Sequence, residues 1–248
     1  MGRDIFLSVV IPVFNESERI YHLDEVRTFF GSCDFPFEVI VVDDGSRDDT
    51  LQKLGPWQSR EGVKVFSYPQ NRGKGYAIRT GMGAAAGEFR LFMDIDLSTP
   101  LDEFRRFEPF LRSHDIIIGT RKNVEGNILE HQPWLRETLG KGFTFLSQVM
   151  LQVWLSDFTC GFKCFSAKAA ARIFPRLTID RWGFDSEILF LARKFGFSVA
   201  EVPVRWKNDR LTRVKFPQDI LRSFRDLLTI RLNDRRGAYR DPGTPKNG

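Results

Sequence analysis

Five short runs that read as strands punctuate the first 120 residues: Phe6–Pro12, Phe37–Val42, Val63–Tyr68, Phe89–Met93 and Asp115–Gly119. Phe6–Pro12 and Phe37–Val42 are β-branched apolar runs suited to strands buried on both faces. Segments with helical signals separate the first four, from Asn15 to Phe30, from Asp48 to Trp57 and from Tyr76 to Ala86. Strands alternating with helices imply an α/β chain with a mostly parallel sheet and helices on both faces. Such sheets bind ligands beyond the carboxyl ends of their strands. The turns after Pro12, Val42 and Met93 are polar and lie at such ends, so they can converge on one ligand.

The turn after the fourth run carries Asp94-Ile95-Asp96-Leu97-Ser98. Two carboxylates one residue apart at a strand end repel each other, and burying them costs desolvation energy. A divalent cation between them reverses that balance. Hard Mg²⁺ or Mn²⁺ prefers oxygen ligands, with substrate phosphates completing the shell. Asp is also common in turns after strands, so a plain solvated turn is the competing reading.

Beyond residue 120 the pattern changes. Gln132–Leu155 reads as a long amphipathic helix broken by Gly140 and Gly142. Gly161–Phe165 reads as a short strand, Phe184–Phe195 as a helix and Val199–Trp206 as a strand. Pro217–Asp234 reads as a second amphipathic helix with Ile220, Phe224, Leu227, Leu228 and Leu232 along one face. The expected organisation is one domain over residues 1–234, with a disordered tail over 235–248 that is rich in Gly, Pro and charge.

Of the 248 residues 42% are hydrophobic, with 24 Phe, enough for a full core. The formal charge of +5 favours anionic partners: phosphorylated small molecules, nucleic acid or anionic lipid. Four Tyr and no recognised binding motif argue against nucleic acid. Cys33, Cys160 and Cys164 form no even framework, and no nearby His completes a zinc site, so buried thiols in a reducing compartment are expected. No basic segment precedes a long apolar run at the N-terminus, so no secretory leader is expected. The apolar stretch Phe143–Leu155 is too short and too polar to span a bilayer, so the protein should be soluble or peripheral.

Gly81-Met82-Gly83 lies within a helical segment rather than at a strand-to-helix turn, which excludes a dinucleotide fingerprint and leaves close helix packing. Neither Lys74 nor Lys141 is followed by Ser or Thr, so neither marks a P-loop. His22, His114 and His131 are too scattered for a metal site or a nucleophilic triad.

The order Val10-Ile11-Pro12-Val13-Phe14-Asn15-Glu16, Val41-Val42-Asp43-Asp44-Gly45-Ser46, Asn71-Arg72-Gly73-Lys74-Gly75 and Asp94-Ile95-Asp96 resembles inverting family 2 glycosyltransferases of the GT-A fold. More narrowly it is similar to the polyprenyl-phosphate group that includes dolichyl-phosphate glucosyl- and mannosyltransferases. The likeness continues through Ile118–Arg121, Gln132–Arg136, Asp157–Lys163, Trp182–Glu187 and Val202–Trp206. It implies a nucleotide-sugar half over 1–120 and an acceptor-side extension over 121–234.

The resemblance implies that Pro12, Phe14, Glu16, Asp44, Lys74, Asp94 and Arg213 line the donor site, with Asp44 facing the base. Asp94, Asp96 and Ser98 would hold the cation. Ser98 stands where related mannosyltransferases often carry Gln, and its shorter hydroxyl leaves room for water. Arg121, Arg136 and Lys141 would hold the acceptor phosphate, with Asp96, Asp185, Glu187 and Arg121 as catalytic candidates. Leu211-Thr212-Arg213 replaces the family's usual Gly-Ser-Lys element.

The implied reaction is transfer of a hexose, glucose from UDP-glucose first among the options, to a polyprenyl or dolichyl phosphate. GDP-mannose as donor, or a glycan or lipid hydroxyl as acceptor with Asp185 or Glu187 as base, remain alternatives. So does a degenerate sugar-nucleotide binder. Arg222, Arg225, Arg231 and Arg235 border the apolar face of the last helix. That face is expected to pack on the sheet over most of its length, with peripheral association at the cytoplasmic membrane face.

Overall fold

A computed structural model describes residues 4–121, 134–181, 183–207 and 218–240. The elements in chain order are β1 (Leu7–Val13), α1 (His22–Gly31), β2 (Phe37–Asp43), α2 (Thr50–Leu54), β3 (Val63–Ser67), α3 (Lys74–Ala84), β4 (Phe89–Met93), β5 (Ile116–Thr120), α4 (Trp134–Leu151), β6 (Phe162–Ser166), α5 (Ala167–Ile173), α6 (Phe184–Lys194), β7 (Val199–Pro203) and α7 (Gln218–Arg235). Side chains of α4 and α7 are described from Thr144 and Arg222 onward.

The strands form one seven-stranded sheet in the order β3-β2-β1-β4-β6-β5-β7. All neighbouring pairs are parallel except those of β6, which runs antiparallel to both β4 and β5. Alternate residues serve opposite layers, as the pleat requires. Val10, Ile40, Val42 and Phe92 pack beneath α3, α5 and α6, whereas Val9, Ile11, Val39 and Leu91 pack against α1 with Phe30, Phe104 and Phe107. The expected sheet with both faces covered is the one observed. Gly81 is where α3 meets the sheet: a Cβ there would lie 2.4 Å from Val10 Cγ1, which confirms close packing.

Several boundaries differ from expectation. α1 begins at His22, not at Asn15. Asn15 adopts φ 52°. Its N–H donates to Ser46 Oγ at 2.8 Å, Glu16 N–H to Thr50 Oγ1 at 2.8 Å and Ser17 N–H to Asp48 Oδ2 at 3.2 Å. The β1 turn is therefore stitched to the turn before α2 rather than wound into a helix. α4 runs unbroken through Gly140 and Gly142, since one helical glycine costs only about 1 kcal/mol. It ends at Leu151, where Gln152 at φ 55° and a Val153 N–H to Gln148 carbonyl bond form a left-handed cap. α5, capped by Ser166 Oγ accepting from Ala169 N–H, carries no sequence expectation.

Order also continues past Asp234. Tyr239 is fully buried, so the expected disordered tail is corrected for residues 235–240. On α7, Leu227 and Ile230 face the core, while Phe224, Leu228 and Leu232 are exposed. The apolar face read from the sequence is thus divided between core and surface. Cys160 and Cys164 are buried free thiols, as expected, and Cys33 is a half-buried one.

Candidate active site

The carboxyl ends of β1, β2, β4, β5 and β7 lie on one edge of the sheet, and β6 begins there because it runs the other way. Asp94 and Asp96 follow β4 directly. Between them Ile95 is buried and its carbonyl accepts from His22 Nδ1 at 2.7 Å, pinning the turn to the start of α1. Leu97 follows at φ 53°, uncommon for a branched apolar residue. Ser98 N–H donates to Asp96 Oδ1 at 2.9 Å. Met93, Asp94, Asp96, Ser98, Gly161 and Trp206 line a small cleft of about 20 Å³, completed by Thr99 and Phe162.

Gly161 is required at its position. A Cβ there would lie 2.2 Å from Asp94 Oδ2, so only glycine lets the carboxylate rest on the chain entering β6. Trp206 is held over the other side, where Lys207 N–H donates to the Ser98 carbonyl at 2.9 Å.

Lys74, at the start of α3, forms an ion pair with Asp94 Oδ1 at 2.5 Å. Burial disfavours its ammonium, but Asp94, Asp185 and Asp96 outweigh that and raise its pKa. Asp96 shifts upward, because burial and then Asp94 disfavour a second negative charge. Two crowded carboxylates and a hydroxyl in a narrow cleft are hard oxygen donors suited to Mg²⁺ or Mn²⁺ shared with substrate phosphates. Among the described residues no three acidic, His or Cys side chains cluster as a metal site.

Asp44 is buried and turned toward the β3–α3 turn. It accepts from Asn71 Nδ2 at 2.6 Å, Arg72 N–H at 2.8 Å and Gly73 N–H at 2.9 Å. Its carboxylate holds the turn that delivers Lys74. Asp43 accepts from Ser67 Oγ at 3.0 Å and from Ser46. Pro12 pairs in register with Val42, and Phe14 and Glu16 follow β1 on the same edge, with Glu16 paired to Arg19 Nη1 at 2.5 Å.

Arg121, just past β5, is gripped by buried Asp157: Nε donates to Oδ2 at 2.8 Å and Nη2 to Oδ1 at 2.9 Å. Its guanidinium lies 5.3 Å from the ring centre of Trp206, which brings it beside the cleft. Burial opposes both charges, yet the pair wins: Arg121 is raised and Asp157 is held well below the usual carboxylate range.

Asp185 also lies at this edge, with Lys163 Nζ donating to Oδ1 at 2.5 Å. Burial pushes Asp185 upward, opposed by Lys163 and Lys74. Glu187 does not join the site. It is fully buried on the far side of α6, accepting from Thr178 N–H, Ile179 N–H, Thr178 Oγ1 and Tyr239 OH. With its lone pairs taken, it is unsuited to a base, which corrects the expectation. The side chains of Arg136, Lys141 and Arg213 lie outside the described residues. Asp157, Gly161, Lys163 and Trp206 also belong to this cleft and its border, although the sequence alone does not single them out. They stood only inside motifs, and their partners are far away in the chain.

The glycosyl transferase family 2 model matches residues 8–174. The chain is 34% identical over 256 residues to the dolichyl-phosphate beta-glucosyltransferase of Homo sapiens, covering 97% of this chain and 79% of that one. It is 31% identical over 252 residues to its Dictyostelium discoideum namesake, covering 96% and 77%. Mannosyl-3-phosphoglycerate synthase from Rubrobacter xylanophilus has a similar structure, with TM-score 0.68 at 19% identity, covering 98% of this chain and 79% of that one. Glucosyl-3-phosphoglycerate synthase from Mycobacterium tuberculosis, in complex with Mn²⁺, UDP and glucosyl-3-phosphoglycerate, gives 0.65 at 21% identity, covering 98% and 82%. The sheet is therefore the expected GT-A type. By a family match running from β1 through α5, and by relatives it resembles along almost its whole length, the chain belongs to glycosyl transferase family 2 and is one of its enzymes.

Proposed function

We propose that this enzyme transfers glucose from UDP-glucose to a polyprenyl phosphate, giving a β-linked polyprenyl-phosphate sugar and releasing UDP. The observation that carries the reading is the Asp94–Asp96 pair facing a narrow cleft, with Lys74 drawn against it, at the carboxyl edge of the sheet. Its dolichyl-phosphate beta-glucosyltransferase relatives are 31% and 34% identical to it over almost its whole length, and the Mycobacterium tuberculosis neighbour holds Mn²⁺ with UDP. Asp94 and Asp96, with Ser98, would hold Mg²⁺ or Mn²⁺. When bound, that cation supplies charge neutralisation for the departing diphosphate.

The displacement balances simply. A phosphate oxygen of the acceptor forms the new bond to the anomeric carbon as the bond to the diphosphate oxygen breaks, with inversion. A phosphate monoester has its second pKa near about 6 and is already a nucleophile at neutral pH. No base is required, which suits the pairing of Asp185 with Lys163. Arg121, oriented by Asp157 beside Trp206, would meet the acceptor phosphate.

The acceptor's lipid chain implies peripheral association at the cytoplasmic membrane face. Among the described residues, Phe145, Val149 and Trp154 in and after α4, and Phe224, Leu228 and Leu232 on α7, are exposed. The two helices pack on each other, and Arg222, Arg225 and Arg235 on α7 are exposed as well. No described helix is long and apolar enough to cross a membrane. Thermal-shift screening of sugar nucleotides with and without Mn²⁺, followed by transfer to a short polyprenyl phosphate, tests the proposal. Stabilisation by UDP-glucose only with metal, lost in Asp96→Ala, is expected. Transfer to a sugar hydroxyl but not to the lipid phosphate would overturn the acceptor assignment.

A further inference from the structure

After α7 the chain reverses through Gly237, at φ 77°, and Ala238 N–H donates back to the Asn233 carbonyl at 3.0 Å. This turn sends Tyr239 inward, where it is fully buried and packs 6.0 Å from the Phe190 ring centre. Its hydroxyl donates to Glu187 Oε1 at 2.6 Å. Glu187, equally buried, spends its remaining lone pairs on one short segment. Thr178 N–H donates to Oε1 at 2.9 Å, Thr178 Oγ1 to Oε1 at 2.6 Å, and Ile179 N–H to Oε2 at 2.9 Å. Asn233 Nδ2 reaches the same segment at Thr178 Oγ1, 2.9 Å away.

That segment rests on the turn carrying Lys74. The Asp180 carbonyl accepts from Tyr76 N–H at 3.1 Å. It also lies 2.4 Å from where a Cβ on Gly73 would stand, and Gly73 has φ 112°. Arg79 on α3 donates to the Leu177 carbonyl at 2.5 Å and pairs with Asp180 Oδ1 at 2.9 Å. The first residue of α3 is Lys74, paired with Asp94. A continuous run of short polar contacts therefore leads from the C-terminal turn to the acidic pair. A carboxylate buried this completely, with four donors satisfied, is stiff and costly to loosen.

We propose that Tyr239 and Glu187 are positioning residues for the donor site: the C-terminal turn locks Thr178–Arg181, and that segment fixes the turn that places Lys74 against Asp94. The inference deepens the proposed function, resting on the reading of that edge as the nucleotide-sugar site. It assigns to residues beyond Asp234 a part in donor binding.

Tyr239→Phe removes only the hydroxyl, and Asn233→Ala removes the second tie to Thr178 from a less buried position. Hydrogen–deuterium exchange on the full chain should show faster exchange at Thr178–Arg181 and at Tyr76 in both variants, with β1 and β2 unchanged. The KM for UDP-glucose with Mn²⁺ should rise about three- to tenfold, with kcat within about twofold, the scale of coupling through packed networks. Faster exchange confined to Thr178–Arg181, or spread evenly over the sheet, would overturn the proposal, as would an unchanged KM beside a lowered melting temperature. If the wild type bound no sugar nucleotide, the site reading would fail, while exchange at Tyr76 would still decide whether the turn is coupled.

Discussion

Asp185 and Glu187 stand two residues apart on α6 and face opposite sides of it. Asp185 meets Lys163 Nζ at 2.5 Å on the cleft side, and Glu187 meets Tyr239 OH at 2.6 Å on the other. At about 100° per residue, an i, i+2 pair on a helix is separated by roughly 200° and cannot share a site. One acid is left near the chemistry, and it is already paired with a buried ammonium.

This pairing separates two mechanisms. Loss of a general base slows a reaction by about 10²–10⁴-fold, whereas Asp185→Asn here should lower kcat by less than about tenfold. The pH–rate profile should stay unchanged in shape, rising through about pH 6 with the acceptor's own second ionisation. Steady-state rates of wild type and variant between pH 5 and 8 check this. A rising limb that disappears in the variant would assign the base to Asp185.

Gly161→Ala tests the cleft without removing a charge. The new methyl would occupy the place of Asp94 Oδ2, 2.2 Å away, and the carboxylate must move. Mn²⁺-dependent affinity for UDP-glucose should fall by about tenfold or more, the effect of about 1.4 kcal/mol. Calorimetric titration with and without Mn²⁺ reads it, and a circular dichroism spectrum like that of the wild type shows that the fold persists. Unaltered affinity would mean that Asp94 has no part in binding the donor complex.

β1 and β2 are legible because buried parallel strands write themselves as near-continuous apolar runs, and β3, β4 and β5 also lie where the sequence predicts strands, although β3 carries Lys64 and is only partly buried. The acid pair is legible because it follows β4 directly: Ile95 between the two is buried, and Asp94 and Asp96 line the same cleft. What stayed hidden depends on contacts distant in sequence. Asn15–Ser17 read as a helix start because their partners, Ser46, Asp48 and Thr50, lie on another turn. Tyr239 reads as tail because the surrounding composition is polar, and its partners Glu187 and Phe190, about 50 residues away, mark it as core. The antiparallel course of β6, which delivers Gly161 to Asp94, leaves no trace in the five residues of that strand.

The exposed apolar residues of α4 and α7 predict vesicle binding. Burying a large apolar side chain contributes about 1.5–3 kcal/mol, and each basic residue near an anionic surface about 1 kcal/mol. Trp154, 71% exposed, and Leu228, 44% exposed, make few folding contacts to lose. Trp154→Ser combined with Leu228→Ser should weaken partitioning into anionic vesicles by about 10²-fold while leaving the melting temperature within a few degrees. Co-sedimentation with vesicles measures it. Wild-type protein that stays wholly in the supernatant would count against a membrane role for this surface.

The Arg121–Asp157 pair predicts how stability depends on acid. Burial alone would raise Asp157, but the ion pair and hydrogen bonds from Arg121 hold it below its unfolded value of about 3.9. A depressed carboxylate stabilises the fold fully above the unfolded pKa, and the contribution is lost as pH falls through the folded one. Asp157→Asn keeps the shape and removes the charge, leaving Arg121 without its partner. It should cost about 3 kcal/mol at pH 7, where a broken, largely buried pair is felt in full. The gap to the wild type should then narrow steadily below about pH 4, where the unfolded chain's Asp157 takes up a proton that the native, paired carboxylate does not. Urea unfolding of both proteins at pH 7 and at successive steps toward pH 3 gives the comparison. Two stability curves that run parallel across that interval would show that Asp157 carries no depressed pKa, and that Arg121 is held at the cleft by something other than this charge.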